Sequence, residues 1–180
     1  MDLGTGLFVV TKTDLALPDV VPLALTRTYR PGDTVTRPFG IGTTHPWAIF
    51  LWSAQPYQQV DLILPDGGRV HYVRTSAGTG ASDAVLEHTA TPTRFYKSRV
   101  TWNTTTGGWD LTLTDATRYG FAFTGELQSL RDRYGNTVTL TRAGGTDSSP
   151  ITQVTSPNGR WIQFTYDPSN RIIQTPIKRP

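Results

Sequence analysis

Residues that interrupt helices recur every few positions along this chain, and their spacing restricts what it can fold into. The sequence holds 17 glycines and 13 prolines among its 180 residues, and threonine is frequent between them. Short β-branched and aromatic runs fill the intervals, and several of them alternate apolar with polar residues. Such runs, bounded by Gly, Pro, Asn and Asp, are typical of β-strands. The chain is therefore predicted to be all-β, with antiparallel strands joined as hairpins.

The predicted strands begin near residues 7, 22, 48, 60, 69, 94, 109, 119, 137 and 161. The segment 81–88 is the one stretch predicted to form a helical turn or two, with Ser82 or Asp83 as its N-cap. Asp66-Gly67 separates two predicted strands and favours a type I′ hairpin turn. Segment 14–22 contains two prolines and is predicted to be an extended connector or edge segment.

Composition and charge exclude several classes of protein. The absence of cysteine excludes disulfides, zinc–thiolate sites and thiol nucleophiles. The net charge of +3 is spread over single Lys and Arg residues, and the one tight basic pair is Lys178-Arg179. Nucleic-acid binding requires a clustered basic patch, so no nucleic-acid partner is predicted. No apolar run reaches the roughly 18–20 residues of a membrane span.

The N-terminal stretch 1–14 has no basic residues before its apolar part. It therefore lacks the pattern of a Sec-type secretory signal, and export would need another route. Because the sequence begins and ends abruptly, we expect it to be a fragment of a longer protein.

The residues that most often carry catalysis or metal binding are scattered. His45, His71 and His88 lie far apart, and Glu87 beside His88 would point to the opposite face of a strand. No serine lies in a Gly-x-Ser-x-Gly elbow. We therefore predict no metal, no cofactor and no enzymatic activity. A glycoside-processing enzyme stays open as an alternative, since it needs only two carboxylates in one cleft.

Five tryptophans suggest a second alternative. They are Trp47, Trp52, Trp102, Trp109 and Trp161. Flat aromatic rings stack on sugars, so a surface carbohydrate-binding β-module would use two or more exposed, coplanar rings. Large aromatic residues on strands more often fill the space between sheets.

The last third of the chain contains a repeat. One copy has Leu127, Leu130, Asp132 and Gly135, and the next has Ile151, Val154, Ser156 and Gly159, with offsets of three, five and eight residues in both. A partial third copy begins at Ile172. Each unit is predicted to be a strand, a corner, a second strand and a Gly-containing corner. Such units cannot bury an apolar face alone and must stack on their neighbours.

The segment 164–172 of this repeat resembles the Tyr-Asp (YD) repeat of bacterial Rhs proteins. It matches at Phe164, Tyr166, Asp167, Arg171 and Ile172. Asn170 stands where the family has glycine, and asparagine also tolerates the left-handed conformation. The first unit keeps its Gly corner without the Tyr-Asp pair, and the middle unit has Arg142-Ala143 at that place.

The N-terminal half resembles the segment, of DUF6531 type, that precedes the Rhs shell. The matching groups are Thr5-Gly6, Thr13-Asp14-Leu15, Leu17-Pro18 and Arg27-Thr28-Tyr29. Segment 39–46 is similar to the family's Phe-Gly-x-Gly-Trp-x-His element, with Thr43 in place of Trp. Segment 109–121 is similar to a later strand pair of the family, with Ala116 in place of Gly.

The resemblance implies a function by enclosure. In Rhs proteins, hundreds of further residues wind the sheet into a hollow shell around a toxic C-terminal domain, which is delivered to competing or host cells. The chain would then be a non-enzymatic part of the shell wall, with residues 1–115 as its N-terminal β-region and 116–180 as two full units and one partial unit. Its partners would be the rest of the shell, the toxin domain and a secretion-system component. It would be bacterial, exported or at the cell surface.

The residues predicted to hold the repeat together are Gly125, Leu127, Gly135, Ile151, Gly159, Phe164, Tyr166, Asp167, Arg171 and Ile172, with Phe121, Phe123 and Leu140 in the wall. Tyr166 is expected to pack against the neighbouring unit and Asp167 to bind backbone amides at its corner. The last strand would leave an open sheet edge, through which we expect the isolated chain to self-associate.

Overall fold

The computed structural model describes residues 8–178, and nearly all of its regular structure is β-strand. The predicted Thr5-Gly6 turn, and Arg179 of the predicted basic pair, lie outside the described residues. The strands are β1 (Val10–Leu17), β2 (Leu23–Tyr29), β3 (Thr36–Arg37), β4 (Gly40–Ile41), β5 (Thr43–Thr44), β6 (Phe50–Trp52), β7 (Gln59–Ile63), β8 (Arg69–Arg74), β9 (Val85–Glu87), β10 (Arg99–Asn103), β11 (Gly108–Thr112), β12 (Arg118–Phe121), β13 (Leu127–Arg131), β14 (Thr137–Arg142), β15 (Ile151–Thr155), β16 (Trp161–Gln163), β17 (Thr165–Tyr166), β18 (Ile172–Gln174) and β19 (Ile177–Lys178). Two short 3₁₀ turns span Pro46–Ala48 and Ala143–Gly145.

Twelve of these strands form one antiparallel sheet. From β6 to β16 each strand pairs with the next strand in sequence, and β19 completes the sheet beside β16. This arrangement confirms the predicted all-β, antiparallel class. The predicted boundary between residues 115 and 116 falls between β11 and β12, two adjacent strands of this sheet. The division into two regions stays a prediction.

The N-terminal residues form a separate three-stranded sheet in the order β1-β2-β5. The β1–β2 register shifts between Thr13 and Leu15, so that Asp14 lies at a bulge. Its carboxylate accepts a hydrogen bond of 2.9 Å from Arg27 Nη2 on the opposite strand. The Arg27 guanidinium lowers the pKa of Asp14. The two N-terminal motifs that contain these residues are thus joined by a cross-strand ion pair.

The chain after Gln163 continues the large sheet in a broken form. Phe164 donates its N–H to the Thr152 carbonyl, and Gln163 donates its N–H to the Pro176 carbonyl, at 2.9 Å each. β17, which follows Phe164, pairs with β18, which precedes Pro176. Residues 172–178 therefore form one interrupted strand beside β16 and β17, and Pro176 removes one hydrogen-bond donor from it.

The large sheet curls so that its first strand meets a distant corner. Leu51 on β6 donates its N–H to the Gly125 carbonyl at 2.8 Å, between β12 and β13. Leucine side chains from both sheets, including Leu23, Leu62 and Leu111, are fully buried in one continuous core. No helix within residues 8–178 is long and apolar enough to cross a membrane.

Two local predictions need correction. Segment 81–88 holds a single turn, in which Ala84 donates its N–H to the Ala81 carbonyl at 3.0 Å. It then continues as strand β9 instead of a helix, because Leu86 pairs with Val100 and Arg74 on the two neighbouring strands and is buried there. The turn at Asp66-Gly67 is not of type I′, which needs positive φ at both central residues. Gly67 has φ +81°, whereas Asp66 is not among the residues of positive φ.

Candidate functional site: the repeated hairpins and their junctions

Six tight corners share the same pair of backbone hydrogen bonds. In each, the first residue donates its N–H to the fifth carbonyl, and the fourth residue donates its N–H to the first carbonyl. The corners span 64–68, 113–117, 122–126, 132–136, 156–160 and 167–171. The fourth residue has positive φ in all six and is Gly67, Ala116, Gly125, Gly135, Gly159 or Asn170. Each is a turn followed by a left-handed residue, a common hairpin loop.

Side chains at the first corner position add further hydrogen bonds. Asp167 Oδ1 accepts the N–H groups of Ser169 and Arg171, both at 2.9 Å. The backbone N–H of Arg171 lowers the pKa of Asp167. Asp132 accepts the N–H groups at the third and fifth positions of its own corner in the same way. The predicted binding of corner amides by Asp167 is confirmed.

The three hairpins of the repeat carry the same β-bulge. The register shifts just before Phe121, Arg142 and Tyr166. Each of these three bulge residues pairs across the hairpin with the first residue of a repeat unit, which is Leu127, Ile151 or Ile172 respectively. We call Leu127, Ile151 and Ile172 the anchors of the repeat. The long loop between β14 and β15, which contains the Gly-rich segment 144–150, lengthens the middle hairpin without displacing its bulge.

The bulge residue also binds the preceding unit. Tyr166 donates its hydroxyl to the Ile151 carbonyl at 2.7 Å, and Arg142 donates Nη2 to the Leu127 carbonyl at 2.9 Å. In both cases the donor follows the anchor by 15 residues. Arginine in the middle unit therefore makes the bond that tyrosine makes in the last unit. The sequence places Arg142 at the position of the tyrosine, but it did not predict the shared bond, because the two side chains have in common only a long reach and a terminal donor.

Burial of the predicted wall residues follows their place in these hairpins. Leu127, Ile151 and Phe164, together with Phe121 and Leu140, are buried. Tyr166 and Ile172 are half-buried and pack against the core. Arg171 is exposed and forms an ion pair with Asp167, Nε lying 2.8 Å from Oδ2.

The prediction that Phe123 lies on the strand ahead of Leu127 is wrong. Its side chain is 55% exposed, because it follows the end of β12 and occupies the second position of the 122–126 corner. There its ring lies edge-on to Trp102, with the centroids 6.0 Å apart.

Gly125 has a second role besides its conformation. A Cβ atom at this position would lie 2.3 Å from the Leu51 carbonyl oxygen, so no side chain fits while β6 is bonded to this corner. Gly135 and Gly159 occupy the equivalent positions of later corners, and a Cβ at Gly159 would meet nothing within 4 Å. The offsets in the sequence gave no indication that Gly125 closes the curled sheet.

The N-terminal sheet is attached to the repeat by a polar junction. Asp19 accepts hydrogen bonds from Ser156 Oγ at 2.5 Å and from Asn158 Nδ2 at 2.7 Å. Its carboxylate is covered from solvent, and Arg160 Nε lies 4.0 Å away. The hydrogen bond from Ser156 lowers the pKa of Asp19. Asp19 thus meets, at one corner of the repeat, two side chains that lie 137 and 139 positions later in the sequence.

An aromatic junction lies beside it. The His45 ring is stacked on Phe164, with centroids 5.6 Å apart and planes 8° apart, and lies edge-on to Phe39. His45 is only 1% exposed, and its Nδ1 has no hydrogen-bond partner among the described residues. Burial lowers the pKa of His45 to about 3, and the nearby Arg142 guanidinium acts in the same direction. Ile172 also donates its N–H to the Pro38 carbonyl at 2.6 Å.

The other two histidines are engaged in hydrogen bonds. His71 Nδ1 lies 2.7 Å from Asp61 Oδ1, and His88 bonds the His71 carbonyl and Thr91 through its two ring nitrogens. Across residues 8–178, no three or more His, Cys, Asp or Glu side chains are grouped so that they could hold a metal ion.

Two carboxylates, Asp110 and Asp147, line one groove on the sheet. Asp110 is bonded to Asn103 at 2.9 Å, and Asp147 to Gln128 at 3.3 Å. The enzymatic alternative stays a prediction that these contacts do not test.

The tryptophans are mostly covered. Trp47 and Trp109 are buried, Trp102 and Trp161 are half-buried, and Trp52 is exposed. Trp102 and Trp109 meet edge-on at 75° instead of forming a flat platform. The carbohydrate-binding alternative also stays a prediction.

Comparison with known proteins identifies the N-terminal part. Residues 1–72 match the family model described as a domain of unknown function, DUF6531. This match confirms the predicted DUF6531-type segment and covers the three-stranded sheet and the first strands of the large sheet. No curated protein matches the chain.

Proposed function

We propose that this chain is a non-enzymatic structural part of an Rhs-type toxin shell. It would contribute wall to a closed β-structure that encloses a C-terminal toxin domain for delivery to competing or host cells. Enclosure requires a continuous hydrogen-bonded sheet whose side chains alternate between the two faces. The twelve-stranded meander has this construction.

The observation that carries the proposal is the bond that two successive bulge residues make to the preceding anchor. Arg142 reaches the Leu127 carbonyl and Tyr166 reaches the Ile151 carbonyl over the same 15-residue interval. These two hairpins are therefore each built on the one before, as in proteins assembled from stacked repeats. If the pattern continued, a donor side chain in a following unit would form a hydrogen bond to the Ile172 carbonyl.

The last strand offers a place for such a unit. β18 and β19 pair on one side with β17 and β16, and no other described strand lies against their outer edge. Ile173 on this strand is among the most exposed apolar side chains of the molecule. Apart from the hydrogen bond from Ile172 to the Pro38 carbonyl, this edge has no partner strand among the described residues, which also supports the expectation that the isolated chain self-associates.

The direct test is the reading frame that encodes the chain. We expect it to continue after Pro180 with several hundred residues of Gly-cornered Tyr-Asp units. The complete product, viewed by electron microscopy, should be a hollow particle, and its C-terminal domain should resist added protease until the shell is opened. A stop codon at this point, or a solid particle with a freely cleaved C-terminal domain, would refute the proposal.

A simpler measurement uses the 180-residue chain. Light scattering should show dimers or larger species that dissociate when Ile173 is replaced by lysine, because charge on an edge strand opposes pairing. The exposed Val73, on the interior strand β8, provides the control as Val73→Lys. A stable monomer for the unaltered chain would argue for a self-contained domain.

A further inference from the structure

A cavity of about 380 Å³ opens where β6 meets the 122–126 corner. Its walls come from β6, β7 and β9–β11, and the corner at Gly125 closes one side. The volume lies within the range of roughly 300–1,000 Å³ found for small-molecule sites. None of the described side chains that line it carries a charge. The shell proposal assigns no role to this cavity.

Aromatic rings form a connected series around the opening. Tyr57 is stacked on Trp109, with centroids 6.0 Å apart and planes 29° apart. Trp109 meets Trp102 at 5.1 Å, and Trp102 meets Phe123 at 6.0 Å, both edge-on. The exposed Phe123 ring lines the mouth. Rings in these orientations are the geometry in which a further aromatic ring binds favourably.

The backbone of Tyr57 is held in an unfavourable conformation to place its ring there. Its φ is +65°, which is unusual for a bulky residue and costs free energy. The buried guanidinium of Arg74 fixes this segment, since Nη1 donates to the Tyr57 carbonyl at 3.0 Å. Residues kept in such conformations by their surroundings concentrate at ligand-binding sites.

The hydroxyl groups of Ser53 and Thr124 in the wall are already engaged. Ser53 Oγ donates to the Gln59 carbonyl at 2.5 Å and accepts the Gln55 N–H at 3.1 Å. Thr124 Oγ1 donates to the Glu126 carboxylate. A sugar would lose hydrogen bonds to water here and could recover few of them from these two hydroxyls, which opposes its binding. A neutral aromatic ring that enters the cavity removes only apolar surface from water, which favours its binding.

We propose that this cavity is a binding site for a neutral, planar aromatic ligand. The ring would enter past Phe123 and lie against Tyr57 and Trp109. A charged ligand of the same size would bind more weakly, because its charge would lose water and meet no opposite charge in the wall. The site does not depend on whether the chain belongs to a shell.

The test is titration with N-phenyl-1-naphthylamine, a neutral probe whose fluorescence rises in apolar surroundings. We expect saturable binding of one probe per chain, with energy transfer from tryptophan. Phe123→Ala should weaken binding about tenfold, through lost ring contact. Val60→Phe, which fills the cavity from β7, should weaken it at least as much. Tyr134→Ala removes another exposed corner aromatic outside the cavity and should leave the affinity unchanged.

Three outcomes would overturn the proposal. One is the absence of saturable binding, and another is equal affinity in the unaltered chain, Phe123→Ala and Val60→Phe, with folding of each checked by circular dichroism. The third is displacement of the probe by neutral disaccharides, which would assign the cavity to sugars. The anionic analogue 8-anilinonaphthalene-1-sulfonate should bind the cavity more weakly than the neutral probe.

Discussion

The twelve-stranded sheet is built mainly from contacts between neighbours in sequence, whereas the N-terminal sheet is attached to it by contacts between residues far apart in sequence. From β6 to β16 the large sheet consists of hairpins between neighbours in sequence. The N-terminal sheet is held to the rest by residues far away in sequence, such as Asp19 with Ser156 and His45 with Phe164. A further long-range contact, between Leu51 and Gly125, closes the curl of the large sheet.

The difference suggests how the chain assembles. Local hairpins with identical corners can form one after another, because each closes only a short loop. The N-terminal sheet requires a finished repeat unit to pack against, since its binding surface consists of the corner at Ser156 and the ring of Phe164. Substitutions at the long-range contacts should therefore cost more than substitutions within a single corner.

The largest effect is expected at Gly125. Gly125→Ala would place a Cβ atom 2.3 Å from the Leu51 carbonyl oxygen, at a φ of +103°. We expect a loss of about 3 kcal/mol or more in the free energy of unfolding, measured by chemical denaturation. Gly159→Ala is the matched control, because it has the same corner position and a φ of +78° but open space around the new atom. Its cost should be about 1–2 kcal/mol. Equal losses in both variants would show that the contact with Leu51 does not matter.

The second-largest effect is a loss of folding stability at low pH, and it arises at the aromatic junction around His45. The pKa of His45 is about 3 in the folded chain against an ordinary value of 6.5. The folded state therefore favours neutral His45, and its stability is complete above pH 6.5 and declines as the pH falls toward 3. The slope is about 1.4 kcal/mol per pH unit, or about 2 kcal/mol between pH 7 and pH 5.

The control for this pH dependence is His45→Phe, which keeps a flat ring against Phe164 but cannot take up a proton. The difference in unfolding free energy between pH 7 and pH 5 should shrink by about 2 kcal/mol in this variant. An unchanged pH dependence would contradict the assignment to His45.

A smaller effect is expected within the repeat. Tyr166→Phe removes the hydroxyl that binds the Ile151 carbonyl and should cost about 1 kcal/mol of stability. Tyr134→Phe removes the hydroxyl of a strongly exposed tyrosine and should be close to neutral. If the two variants lose the same stability in denaturant titrations, the bond between units contributes nothing.

The smallest effect is a gain. Ala116 adopts φ +66° at the corner position where glycine or asparagine stands in the other five corners. Ala116→Gly should raise the melting temperature through a gain of about 0.5–1 kcal/mol, because glycine adopts this conformation without strain. Ala54→Gly, at an exposed position without positive φ, should instead lower stability slightly. A loss of stability in Ala116→Gly would mean that the Ala116 methyl group makes a contact whose contribution exceeds the cost of the strained backbone.

Much of the fold could be predicted from local patterns. The strands, the Gly-containing corners and the equal offsets of the repeat follow from turn chemistry and alternation, which act over fewer than ten residues. Segment 81–88 was mispredicted because its propensity is ambiguous and the pairing of Leu86 with both neighbouring strands decided the outcome. Phe123 was misplaced because β12 ends two residues earlier than the alternation suggested.

The candidate site was predictable only in part. The packing of Tyr166 and the amide binding of Asp167 follow from their resemblance to a repeat motif. The hydrogen bond of the Tyr166 hydroxyl was not predicted. The alignment placed Arg142 at the position of Tyr166, but their equivalent hydrogen bonds were not predictable, because these depend on where a long side chain ends and not on its type. The cavity beside Gly125 was not predictable either, since it exists only when β6 meets a corner more than seventy residues away.

The sequence by itself therefore determined the class of structure, the positions of the corners and the period of the repeat. These depend on backbone conformation and alternation, which each residue imposes on its near neighbours. The tertiary structure decided which corner closes the curled sheet, how the N-terminal sheet attaches to the repeat and which aromatic rings surround a cavity. These depend on shape and burial, which arise only when segments distant in the sequence are packed together.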